Sequence, residues 1–331
     1  MTLVFGVFLL TLLVIVAVAI VRSTNLFAAV MLSGIFSLLM AVNFFLLDAA
    51  DVALTEAAVG AGVATVLFLS ALALTAEHEQ VRPGGAALQW LPLVVAFATG
   101  GLLIYATFQN PVIGDPNAPV HQHVAPWYLE NTPELIDIPN VVTAVLGSFR
   151  GFDTLGEVFV VFTAGIGVLS ILGLRHTLVE MTSAEIDARQ RSLRDHLIPR
   201  VVGRGMVPFI LLFALYVQFH GEYSPGGGFQ AGAIAAAAII LYSLLEGDDR
   251  GRALVPEWLL QIMVASGALL FGGVGVVCML LGGSFLDYSV LAEVPSEGQH
   301  LGLLLIELGV GITVSGVLLT VFHAFARRAS R

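Results

Sequence analysis

Residues 26–47, LFAAVMLSGIFSLLMAVNFFLL, followed by the break Asp48-Ala-Ala-Asp51 and a second apolar run over 52–74, decide the fold. A helix rises about 1.5 Å per residue, so an uncharged run of this length crosses the roughly 30 Å hydrocarbon core of a bilayer. The four-residue break leaves room only for a tight return. In lipid every backbone N–H and C=O must be satisfied within its own segment, so two such runs in succession predict an antiparallel pair of transmembrane helices.

The same measure applied outward from this pair selects nine stretches: 2–21, 26–47, 52–74, 90–108, 152–174, 205–219, 229–245, 257–281 and 301–325. The sixth is short unless it starts near Ile198, with Arg200 and Arg204 snorkelling to the interface. The expectation is an all-α integral membrane protein of about nine transmembrane helices. Composition agrees: of 331 residues 57% are hydrophobic and 11% charged, against about a quarter charged in soluble chains. A soluble enzyme and a disordered chain are excluded, and a net charge of −10 excludes a nucleic-acid partner. The partner implied by composition is the lipid bilayer.

All 14 basic residues are arginines. With the N-terminus outside and the C-terminus cytoplasmic, 13 of them fall on the inner side and only Arg150 outside, as the positive-inside rule requires. A missed helix would scramble that ratio, so it supports the count of spans together with their orientation. Trp90 and Trp258 then sit where helices leave the inner interface. The first twenty residues lack the positive n-region of a cleaved signal and read as a retained helix. The single Cys278 rules out disulfides and thiolate metal clusters.

Four segments follow: a three-helix module over 1–80, a two-helix module over 81–178, a linker over 179–199 and a four-helix module over 200–331. The second carries a long outer loop, 109–151, with six of the 13 prolines; it is expected to be an irregular acidic cap ordered only by its neighbours. In the linker, Thr182-Ser-Ala-Glu185 is a capping box opening an amphipathic helix with Ile186, Leu193 and Leu197 on one face. That helix is suited either to anionic lipid or to a partner.

Ionisable groups within spans are costly and therefore candidates for function. Glu56, Glu157 and Glu307 lie about one to two turns below the outer surface on three different helices, at a depth where they can line one outward-facing cavity. Asp153 and Glu157 share a helical face, with Arg150 placed to pair with Asp153; Thr55 neighbours Glu56. Paired acids beside one arginine titrate apart, a usual condition for handling protons or sodium. His323, near the inner end of the last span, is a candidate for proton delivery to the cytoplasm. His220-Gly-Glu-Tyr-Ser-Pro225-Gly-Gly-Gly-Phe-Gln-Ala-Gly232 breaks the chain between the sixth and seventh spans, as either a tight outer hairpin or a re-entrant loop exposing backbone groups. His220 with Glu222 offers too few ligands for a metal, and Ser224 lacks a base. His121 and His123 read as an ordinary solvated pair. No metal and no resident cofactor are expected. Gly272, Gly273, Gly275, Gly309, Gly311 and Gly316 suit close helix packing.

Three stretches resemble known modules. Asp51-Val-Ala-Leu-Thr-Glu-Ala-Ala-Val-Gly-Ala-Gly62 is similar to the C-terminal part of the largest subunit of Mrp-type antiporters, as well as to one of the small subunits of membrane-bound hydrogenases. Asn140 to Glu157 resembles the module that follows it, and His220 to Gly232 looks like the B-subunit family of Mrp sodium/proton antiporters. The resemblance implies a fusion of these modules within a multisubunit complex, in the inner (plasma) membrane of a prokaryote, beside large antiporter-like pump subunits. It implies ion translocation by Glu56 and Glu157 with Asp153 as companion, Na⁺ and H⁺ as the transported ions, and a glycine-rich turn at Pro225, Gly226, Gly227, Gly228, Phe229 and Gly232. Glu307 matches no motif and is a candidate by depth alone. The long lysine-bearing portion that precedes the first two modules in many relatives has no counterpart in this sequence. Two other readings fit the same architecture: a non-conducting scaffold, and a coupling component of a redox-driven or carbon-uptake complex.

Overall fold

The computed structural model describes residues 2–75, 78–79, 86–112, 114–173 and 197–329. Among them nine helices are long and apolar enough to span a membrane, and no strand is present beyond one isolated bridge, Asn25 to His78. We number them α1 (Thr2–Arg22), α2 (Leu26–Leu46), α3 (Ala50–Leu72), α4 (Ala86–Thr107), α5 (Gly151–Gly173), α6 (Leu197–His220), α7 (Gly228–Glu246), α8 (Glu257–Leu280) and α9 (Pro295–Ala329). The linker helix expected over 179–199 lies outside the described residues except for its last three, which open α6.

The core is built around α9. Leu303, Ile306, Val310, Val314, Val317 and Val321 are all buried, at the three-and-four spacing that lines one helical face. On the neighbouring faces Thr313 and Ser315 are buried as well, and their hydroxyls donate to Gly309 O and Gly311 O of the same helix, at 2.9 and 2.7 Å. A buried hydroxyl is thereby satisfied without a partner helix. Against this helix pack α7, α8 and α5, while α6 packs on α7 and the pair α1–α2 joins through α3. Close approach is set by small residues: a Cβ at Gly309 would lie 2.8 Å from Gly267 O of α8, and one at Gly316 would press on Met263 and Val264. Gly272 and Gly273, expected at the same interface, face open space; Gly267 occupies the contact instead.

The segment between α4 and α5, expected to be an irregular cap, departs from that expectation. It is largely helical, over Val120–Val124, Ala125–Leu135, Val141–Ala144 and Val145–Phe149. The first two run on without a break, Ala125 N donating to Val120 O, and Pro126 sits where the π-helical turn passes into the α-helix. The Asn140 side chain accepts from Val142 N and Thr143 N, capping the third. Ile136 and Ile138 are buried in the central cluster with Phe271, Tyr288 and Leu303, so the segment is pinned to the bundle top. Tyr288 closes that top: it is fully buried, burial pushes its phenol pKa up, and it donates to Gly147 O at 3.0 Å.

Candidate functional site

The glycine-rich segment is a tight hairpin. α6 closes at His220, Tyr223 N and Ser224 N both donate to His220 O at 3.0 Å, Gly227 N donates to Val217 O at 3.1 Å, and α7 begins at Gly228. Gly227 has φ of +123°, a region open to glycine and strained for other residues. Gly228 is required for space: a Cβ there would overlap the Glu307 carbonyl and approach Gly311 N at 2.9 Å. Gly226 and Gly232 are held the same way, against Val217 O at 2.7 Å and Gly311 O at 2.6 Å. Pro225 leads into this glycine run, and Phe229 packs on the core cluster. Together these residues let the N-terminus of α7 lie directly on α9.

That contact puts a carboxylate at a helix N-terminus. Gly228 N donates to Glu307 Oε2. The first N–H groups of a helix have no internal acceptor and carry about half a positive charge in sum, so an acidic group is stabilised there even deep in a span. On its other side Glu307 faces a cavity of about 210 Å³ that is also lined by Thr143, Gln218, Gly221, Glu222 and His300. At the edge of that cavity the Glu222 carboxylate lies 2.9 Å from His300 Nδ1.

Asn140 ties the site to the first three helices. Its Nδ2 donates to Gly221 O and Ser224 O at 3.0 Å and reaches Asp51 Oδ1 at 3.3 Å, and its N–H donates to Glu222 O at 2.9 Å. Thr143 Oγ1 also donates to Gly221 O, at 2.7 Å. Four residues along α3 from Asp51, Thr55 accepts from Gln230 Nε2 of α7 at 2.8 Å and donates to Asp51 O. Glu56 follows at the start of a π-helical stretch, Glu56–Ala64, a geometry often found at functional positions. Its Oε1 lies over Gly60, where a Cβ would also meet Ser37 Oγ of α2 at 2.8 Å.

Of the three glutamates, then, Glu56 stands on α3 and Glu307 on α9, and the two helices are linked through α7, which meets α3 at the Thr55–Gln230 contact and α9 at the Gly228–Glu307 contact. Glu157 is placed elsewhere. It is exposed on α5, on the side away from buried Leu155 and Val158, and does not line the Glu307 cavity. Asp153 shares its exposed face and pairs with Arg150 across one turn. His323 is buried, its two ring nitrogens have no hydrogen-bond partner among the described residues, and its carbonyl accepts from Arg252. His220 stacks on Tyr216 with centroids 4.6 Å apart.

The structure adds residues that the sequence did not single out. Glu222 lies inside the quoted motif, but its partner His300 is 78 positions away, and no local pattern announces the pair. At the C-terminal end of α7, Glu246 is 1% exposed and takes a two-pronged contact from Arg200, at 3.0 Å on each oxygen, with Arg250 bonded to it and Arg204 at 3.9 Å. Arg200, expected to snorkel, has a buried carboxylate within reach and binds it. Among the described residues no group of three or more His, Cys, Asp or Glu is arranged to hold a metal ion.

Nine apolar helices among the described residues, a carboxylate capping a helix within the spans and further acids facing out of the bundle define a multi-pass membrane protein with ionisable groups at membrane depth. Comparison with known proteins makes this specific. Residues 198–320 match the family described as a domain related to the MnhB subunit of Na⁺/H⁺ antiporters, while residues 11–77 match the D-type and residues 92–191 the E-type subunits of MBH. The putative antiporter protein mnhB2 of Staphylococcus aureus (strain Newman) is 34% identical over 38% of this chain and 92% of its own length. The chain belongs to the MnhB family of antiporter subunits, fused behind the two MBH-like modules in the Mrp-type order. The probable K⁺/H⁺ antiporter A/B protein of Rhizobium meliloti (strain 1021) is 28% identical over 92% of this chain and 32% of the relative. The Mrp complex from Dietzia sp. DQ12-45-1b contains a chain that superimposes with a TM-score of 0.77 at 26% identity, over 96% of this chain and 34% of that one. The chain thus spans about a third of the length of these two.

Proposed function

We propose that this chain is one membrane component of a multisubunit monovalent cation/proton antiporter of the Mrp type, in the plasma membrane of a prokaryote with its N-terminus outside. In this reading the modules 1–80, 81–178 and 200–331 contribute carboxylates to a Na⁺ and H⁺ path, and separate antiporter-like pump subunits complete it. The observation that carries the reading is Glu307, an acid within a span that is held by the N-terminus of α7 and open to a cavity, in a chain of the antiporter-subunit family. Glu157 supports the dependence on partners. An exposed carboxylate on a transmembrane helix is costly in lipid, so its face of α5 is one for a neighbouring protein of the complex to cover. Glu307, Glu56, backed by Thr55, and Glu157, with Asp153 tuned by Arg150, alternately bind a proton and a cation, and mutual exclusion at each carboxylate couples the two fluxes. His323 provides the inner exit.

The test uses Glu56→Gln and Glu157→Gln in the assembled complex, assayed as cation-dependent proton exchange in everted vesicles. Exchange is expected to fall to background in both while the subunits still copurify. Wild-type exchange in both variants overturns the mechanism, and loss of copurification before any loss of exchange makes the chain a scaffold.

A further inference from the structure

The cavity beside Glu307 holds polar groups for which the family reading has no use. Gln218 of α6 lines it, is 9% exposed, and its Nε2 has no hydrogen-bond partner among the described residues. A buried amide donor without a protein partner, on a side chain that lines a polar space, calls for an acceptor there. The space, about 210 Å³, has room for several water molecules at roughly 30 Å³ each, and it offers what bound water needs: the Gln218 donor, the Thr143 hydroxyl and the carboxylates of Glu222 and Glu307. Glu307 uses Oε2 to accept from Gly228 N, which leaves Oε1 for a second partner. At the other end His300 and Glu222 are paired and reach the surface, with side chains 35% and 23% exposed. His300 and Glu307 are seven residues apart on α9, about 10 Å along the axis.

We propose that this cavity is a hydrated proton-access path to Glu307, with the His300–Glu222 pair at its mouth and Gln218 holding the water that passes protons inward. It rests on the reading of Glu307 as an exchanging carboxylate. A proton from the aqueous side is taken up by the pair. Each water accepts one proton and releases another, and the last arrives at Glu307; release runs the same steps backward. Imidazole is suited to the mouth because one ring nitrogen can take a proton while the other gives one up. Among the described residues, the charged groups that line the cavity with His300 are Glu222, from the hairpin, which pairs with it, and Glu307, deeper on α9; Asp51 of α3 reaches the hairpin through Asn140.

The experiment has two arms on the intact complex. In proteoliposomes, His300→Ala is expected to slow exchange about tenfold and flatten its dependence on outer pH, and imidazole added outside is expected to restore the rate. A merely structural histidine would show no such rescue. Gln218→Leu is expected to slow exchange comparably, without rescue. If His300→Ala does not assemble, His300→Gln keeps a hydrogen bond to Glu222 without a titratable ring and must give the same flattened profile. A wild-type profile in the assembled variant, or a slow rate that imidazole leaves unchanged, overturns the path.

The second arm is independent of transport. Leu303 is 0% exposed yet lines the cavity, so hydroxyl-radical footprinting by water radiolysis marks it only if water is bound beside it. Marking in the wild type that disappears in Gln218→Leu is the expected result; no marking in the wild type overturns the proposal. Marking with normal His300 variants, in a complex that loses exchange on Glu307→Gln, refutes the path and spares the parent reading. Normal exchange in Glu307→Gln refutes the parent reading as well.

Discussion

The two ends of the chain are both apolar enough to span a membrane and are very differently packed. In the best 18-residue windows of α7 and α9, 56% and 61% of residues are buried within the chain; in α1, α2 and α3 the share is 11%, and in α4 it is zero. Helix association in a bilayer has no help from hydrophobicity, since lipid tails are as apolar as leucine, and depends on small residues and polar contacts. α7 and α9 possess both: Gly228, Gly232, Gly309 and Gly316 let backbones touch, and Glu307 bonds one helix to the next. α4 has Gly100 and Gly101 but meets nothing at either position. Apolar content places a helix in the membrane, while the small and polar residues decide which helices a chain can pack for itself.

Disrupting the packed half should have the largest effect. Glu246→Gln removes the charge that holds Arg200 and Arg250 and leaves guanidinium groups around a buried site. Breaking such a buried pair costs about 3–5 kcal/mol, to be read as a marked fall in the unfolding temperature of the purified protein in detergent. At the seam between the halves, Thr55→Val removes the acceptor for Gln230 and should cost about 1 kcal/mol; a double-mutant cycle with Gln230→Leu is expected to show that the two changes are not additive. In the exposed half, Leu103→Ala on α4 should leave the unfolding of the isolated chain within about 0.5 kcal/mol of wild type while weakening copurification with other subunits. An equal loss of stability at Leu103 and at Glu246 would erase the contrast between the two regions.

Most of the fold was legible because a span needs about twenty apolar residues and little else has such a run. Its failures have physical causes. Proline-rich, weakly apolar composition disguised the helices of 120–149, which owe their order to burial of Ile136 and Ile138 and to the Asn140 cap. The start of α9 at Pro295 instead of 301 was hidden by Glu297 and His300, polar residues in a turn that stands above the apolar stretch. For the site, depth alone flagged Glu307, and the glycine run flagged the hairpin. Neither could reveal that they meet, because the contact joins residues 79 positions apart. The same holds for Glu222 with His300 and for Asn140 with Gly221. The outward direction of Glu157 was equally illegible, since a face of α5 that carries Asp153 and Glu157 is as well suited to line a cavity within the chain as to meet a neighbour.

Glu307→Gln tests the central claim most directly. Glutamine keeps an oxygen to accept from Gly228 N and so preserves the hairpin, but it cannot bind a proton or carry charge. The complex reconstituted with this variant should assemble with wild-type composition and show cation-dependent proton exchange at background level. Exchange at the wild-type rate would contradict the account.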